Sequence, residues 1–169
     1  MRLDGIAGGS LDLELVGYQF PKGPASAGRM ADSLRDPYDK LPIVYTPDDD
    51  NWLVVRGRVE SEGGAWTFRE PCLQTWEAET LARWLEDVSQ LRQPEAIAFT
   101  EPLLVFALAK TGQGHEIAKL IISFAHGARP PWSPPEAFET TPIYFDVRRQ
   151  DLHRASVALL EELSEFPVR

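Results

Sequence analysis

The sequence predicts an α+β domain: a mainly antiparallel sheet built from hairpins, with two helices, at about 76–91 and 149–166, packed against it. Three observations carry this reading. Short runs alternate apolar with polar residues and are separated by Gly- and Pro-containing turns, the period of half-buried strands. Two stretches instead carry apolar residues at helical spacing. The order is strands, helix, strands, helix, without the regular alternation of a parallel sheet. A single domain over 1–169 is expected, with a long loop at about 21–50.

Leu11, Leu13 and Leu15 alternate with Asp12 and Glu14 in a strand that runs to about Phe20, where Pro21 stops it. Pro21–Asp50 is rich in Gly, Pro, Ser and Asp and reads as an exposed loop, more mobile than the strands and tolerant of trimming. Within it, Ile43–Tyr45 can form a short strand. Over Asn51–Glu60, Leu53, Val55 and Val59 face one side, and Trp52, Val54, Arg56, Arg58 and Glu60 the other. Gly63 and Gly64 supply the positive-φ residues of a tight hairpin, and Ala65–Glu70 returns with Trp66 and Phe68 inward.

Thr75 is placed to cap a helix from about Trp76 to Leu91, with Glu77 and Glu79 favourable to its dipole. Ala78, Leu81, Trp84, Leu85 and Val88 form its apolar stripe, expected to lie on the sheet. Strands follow near Ala96–Phe99, Leu103–Lys110 and Glu116–Ala125, the last two flanking the Gly-containing loop Thr111–His115. Pro130, Pro131, Pro134 and Pro135 force an extended segment around Trp132. Ile143–Val147 is the final strand. A helix from about Arg149 to Phe166 repeats Leu152, Ala155, Leu159, Leu163 and Phe166, and Pro167 ends it.

Bulk composition narrows the function. The net charge is −9, with 26 acids against 17 Lys and Arg, so direct nucleic-acid binding through clustered bases is not expected. Such a balance serves solubility, or it forms an acidic face that attracts a basic partner. No run approaches the ~20 apolar residues that cross a bilayer, so no membrane partner is expected. Met1–Ser10 lacks the basic start and apolar stretch of a secretion signal, which makes a cytoplasmic location the expectation. The single cysteine, Cys72, excludes an internal disulfide framework and a cysteine-based metal cage.

No constellation for catalysis emerges. His115, His126 and His153 are far apart and lack metal-ligand spacing, so solvated or structural roles are favoured for each. Cys72 follows Pro71 and precedes Leu73, with no basic neighbour to activate it, and reads as a small buried apolar residue. No serine sits in a nucleophile elbow, and neither Gly5–Gly9 nor Gly112–Gly114 has a phosphate-cradling spacing. Pro131-Trp132-Ser133-Pro134 is a bare PxxP of the kind any Pro-rich loop contains. No catalytic, cofactor-binding or metal-ligating residue is assigned, and no cofactor is expected.

Several short signatures recur together: Gly17-Tyr18-Gln19-Phe20-Pro21, Asp36-Pro37-Tyr38-Asp39, Asn51-Trp52-Leu53-Val54-Val55 and Pro71-Cys72-Leu73-Gln74-Thr75-Trp76-Glu77. Arg129-Pro130-Pro131-Trp132, Asp151-Leu152 and Phe166-Pro167 follow in order. Together they resemble the WapI family of bacterial immunity proteins over nearly the whole chain. The resemblance implies a protein that binds the toxic C-terminal domain of a contact-dependent toxin, often an RNase, and thereby protects the cell. One departure stands out: Lys40–Asp50 separates the Asp36–Asp39 segment from Asn51, where a much shorter join is expected.

An inhibitor of this kind needs a complementary surface and no reactive site. The candidate partner-binding residues are the acids Asp48, Asp49 and Asp50 beside the strongest strand, Glu60 and Glu62 near the hairpin turn, and Glu70. Their partner would be a basic toxin domain. Trp52, Trp76 and Trp132 could anchor an interface, although core packing is the favoured reading of all three. Two other functions stay open: a small enzyme, favoured by a deep pocket joining His126 to carboxylates, and a scaffold or regulatory binding domain unrelated to toxins.

Overall fold

The computed structural model describes residues 1–20, 50–110, 114–133 and 140–169. The strands are β1 (Arg2–Asp4), β2 (Ser10–Tyr18), β3 (Trp52–Ser61), β4 (Gly64–Gln74), β5 (Ile97–Ala98), β6 (Leu104–Leu108), β7 (Ile117–Phe124) and β8 (Thr141–Arg148). The helices are α1 (Thr75–Ser89) and α2 (Arg149–Leu163), with a short 3-10 turn at His126–Ala128. The fold is α+β and its described strand pairs are antiparallel, as the hairpin pattern requires.

Patterning did not reveal that the strands divide into two four-stranded sheets, ordered β1-β2-β3-β4 and β5-β6-β7-β8. Their inner faces meet through aromatic rings. Trp66 on β4 lies edge-on to Phe124 on β7 with centroids 5.2 Å apart, and Phe68 approaches the same ring at 6.2 Å. A Gly5–Val147 bridge and the Ile6 N–H bond to the Asp146 carbonyl join the two sheets where β1 meets β8. The strand β1 was missed in the sequence because three residues carry no period; its pairing with β2 is a tertiary fact.

The β3–β4 hairpin alternates as its sequence indicates, with Leu53, Val55, Val59, Trp66 and Phe68 buried. Its turn differs in one detail. Ser61 pairs with Gly64, leaving Glu62 and Gly63 as the loop, and of the two glycines only Gly64 has positive φ, at 132°. Farther along, the register shifts between Leu53 and Val54, so that Cys72 is the extra residue of a bulge on β4.

The cap of α1 is Gln74, and not Thr75 as the residue preferences suggested. Gln74 and Glu77 form a reciprocal capping box, whereas the Thr75 hydroxyl is turned towards Asn51 at 3.4 Å. The stripe Ala78, Leu81, Trp84, Leu85 and Val88 is buried. Trp84 reaches β6 through Phe106, at 6.1 Å between centroids, and the rest of the seam engages α2. There the Ser156 hydroxyl donates to the Ala82 carbonyl at 2.8 Å. Arg149 donates to the Val88 carbonyl, in the last turn of α1, and to the Gly114 carbonyl at 2.8 Å. Burial pushes the Arg149 pKa down, yet the carbonyls and the negative end of the helix dipole keep the cation in place. His153 meets Glu86 at 2.7 Å across the same seam and holds that carboxyl below its usual range. The helix α2 stops at Leu163, three residues short of the sequence estimate, and Ser164–Phe166 continue in turns.

Candidate functional site

Among the described residues, part of the motif resemblance comes together as structure: Tyr18 and Asn51 meet the segment that follows Phe166. The Asn51 side chain clasps the backbone of Arg169 from both sides, accepting from its N–H at 2.8 Å and donating to its carbonyl at 3.2 Å. The Tyr18 hydroxyl donates to the Pro167 carbonyl, its ring meets Phe166 edge-on at 5.6 Å, and the Arg169 guanidinium lies 3.5 Å over that ring. Glu77 joins the start of α1 to the loop at Thr100. These groups hold the C-terminal tail and the first turn of α1 against the first sheet.

The motif tryptophans correct an expectation. Trp52 is partly exposed, Trp76 is 37% exposed and Trp132 is 46% exposed, whereas the core positions go to Trp66 and Trp84. Trp66 and Trp84 lie on the inward alternation of a strand and on the apolar stripe of a helix; the other three do not.

The candidate acids are distributed as follows. Asp48 and Asp49 lie outside the described residues, as do Ile43–Tyr45 and most of the 21–50 segment. Asp50 precedes β3, and its Oδ1 is buried without a hydrogen-bond partner among the described residues. Glu60 and Glu62 come together at the turn end of the hairpin, in an open groove of about 700 Å³ that also receives Trp132, Tyr144 and Asp146. Glu70 is elsewhere. Glu60 pairs with Ala65 and Glu70 with Val55, which places them roughly 17 Å apart along the hairpin at the ordinary strand rise. Glu70 also follows Trp66 and Phe68 on the inward alternation of β4, against Gly127, whose added β-carbon would lie 2.3 Å from its Oε1.

Glu70 shares a second, smaller groove of about 380 Å³ with Trp52, Glu101 and His126. His126 has φ 47°, a left-handed conformation uncommon outside glycine, yet no hydrogen bond joins it to either carboxylate. Among the described residues, no cluster of His, Cys, Asp and Glu has the arrangement of a metal site. No helix among them is long and apolar enough to cross a membrane.

Cys72 is only 1% exposed, and burial, reinforced by the neighbouring Glu70, Glu77 and Glu101, pushes its pKa up to about 12. Its thiolate is therefore scarce at neutral pH. Cys72 is expected to resist a thiol-modifying reagent at pH 7.5 in the folded protein and to react promptly in denaturant. Rapid native-state modification, followed by mass spectrometry, would contradict this burial.

A family model described as the immunity protein WapI-like family matches residues 2–167. No curated protein and no solved structure matches the chain.

Proposed function

The chain belongs to the WapI-like immunity protein family, and we propose that it neutralises a cognate toxin domain by binding it in a stoichiometric complex. The match across residues 2–167 carries this reading. The charge balance supports a basic partner, and a toxic RNase is one enzyme class with a basic substrate groove to occlude. No step of bond making is required of the inhibitor. The acids Asp48, Asp49, Asp50, Glu60, Glu62 and Glu70 are its proposed electrostatic contacts, with Glu60 and Glu62 sharing one groove.

Complementary charge acts mainly on the encounter rate and is screened by salt. Replacing Asp48, Asp49 and Asp50 with Asn is therefore expected to slow association with the cognate toxin domain. Stopped-flow traces should show a shallower salt dependence in the variant than in the parent. Equal rates and equal salt slopes would remove these three residues from the interface.

One observation favours a second reading, a small enzyme: His126, in its left-handed conformation, shares a groove with Glu70 and Glu101. That reading requires turnover of a small substrate by the isolated protein, abolished by His126→Ala. Its groove lacks the hydrogen-bonded histidine–carboxylate pair that orients a general base, and the binding reading is preferred.

A further inference from the structure

We propose that the groove between the β3–β4 turn and the outer edge of β8 is a receptor for an arginine side chain on an extended segment of the basic partner. This inference rests on the binding function proposed above and assigns the surface that performs it. Two aromatic side chains define the groove. Tyr144 projects from β8 and is 70% exposed; Trp132, where an extended segment was expected, sits in a turn closed by the Ser133 N–H bond to the Pro130 carbonyl and is 46% exposed. Large aromatics left this open lose the benefit of burial unless a partner covers them.

Trp132 is exposed but fixed in position. Its indole lies on the glycines of the hairpin turn, where an added β-carbon would come within 3.2 Å at Gly63 and 3.0 Å at Gly64. It meets Trp66 in a T-shaped pair, with centroids 5.4 Å apart and planes at 84°. The glycines therefore serve two ends: they close the hairpin, and they let the indole lie flat on it. A ring already held in one orientation loses little entropy when a ligand stacks on it.

The charge of the groove selects that ligand. Among the described residues, Glu60, Glu62 and Asp146 line it against the cation Lys119, which bonds Asp146 at 3.1 Å. Arg2, whose field reaches Glu60, is engaged by Asp4 at 2.8 Å. A guanidinium suits this combination better than an ammonium, because its plane stacks on aromatic faces while its edge donates to carboxylates. The backbone adds a rail. β8 pairs with β7 on one side; on the other, the backbone bonds among the described residues are the Gly5–Val147 bridge and the Ile6–Asp146 bond, and the Ser133 and Thr141 hydroxyls meet at 2.7 Å. An extended segment can run along this edge and present its side chain between the rings.

The test is a low-salt NMR titration of the full chain with blocked hexa-arginine, and in parallel with blocked hexa-lysine. Saturating shifts are expected at the Trp132 indole N–H and in 60–63 and 142–146, with hexa-arginine binding more tightly. Tyr144→Ser should weaken binding about three-fold and Glu62→Lys about ten-fold. Both positions are exposed, so both variants should fold as the parent does. Shifts scattered over other acidic surface, or affinity unchanged in both variants, would overturn the proposal. So would a concentration-dependent dimer abolished by Tyr144→Ser, which would identify a second copy as the occupant. Toxin neutralisation left intact in both variants would refute this groove and leave the immunity function standing. A groove that takes the peptide in a chain unable to neutralise the toxin would refute the function and leave the receptor.

Discussion

Replacing Glu77 with alanine is expected to destabilise the protein by about 2–4 kcal/mol, although the residue touches no proposed partner. Its carboxylate is nearly buried and serves three donors at once. Oε2 accepts from the Gln74 N–H at 2.9 Å, which closes the cap of α1. Oε1 accepts from the Thr100 N–H at 2.6 Å and the Thr100 hydroxyl at 2.7 Å. Hydrogen bonds to a charged acceptor are among the stronger ones, and an orphaned buried N–H costs roughly 1–3 kcal/mol. Water can reach Thr100, which is exposed, and keeps the estimate below the sum of the parts. Glu77→Gln should recover little, since one side of the amide then directs a donor at a donor. A urea titration of both variants measures this; a shift of the alanine variant below about 0.5 kcal/mol would show that the bridge is dispensable.

Leu85→Ala should cost about 2–5 kcal/mol. Leu85 is fully buried on α1, in a stripe flanked by Leu81 and Val88. The cost has two parts, the lost transfer of the removed carbons and the cavity that remains. Collapse into that cavity is restricted, because the α1–α2 seam is pinned by Ser156 on the Ala82 carbonyl and Arg149 on the Val88 carbonyl. The loss should therefore fall in the upper half of the range. Denaturant unfolding with an unchanged slope and a lowered midpoint is the expected signature. A change below about 0.5 kcal/mol would mean that the stripe does not face the core.

Local periodicity made much of this molecule legible. The β3–β4 hairpin, the β6–β7 pair and both helices follow from alternation and from helical spacing, because one-sided burial imposes those periods on the residues themselves. What escaped was decided by contacts distant in sequence. Thr75 looked like a cap, but its hydroxyl points to Asn51, which also holds Arg169, a residue 118 positions away. Glu70 looked like a companion of Glu60; strand length and inward alternation put it in another groove. Tyr144 carried no signal at all, since an exposed aromatic on a strand reads like any core aromatic until the free edge of β8 is known. The division into two sheets was equally silent, because alternation states that a face is buried and not which sheet covers it.

The most direct measurement of the central claim is a titration of toxin activity with this chain. The cognate toxin domain is held well above the dissociation constant, and its activity is followed as purified chain is added. Stoichiometric inhibition gives a linear fall that ends at one equivalent, with a one-to-one complex recovered by size-exclusion chromatography. Inactivation that continues with time at a small fraction of an equivalent would reveal an enzyme, and full activity at excess chain would reveal no inhibitor at all; either result would contradict the account.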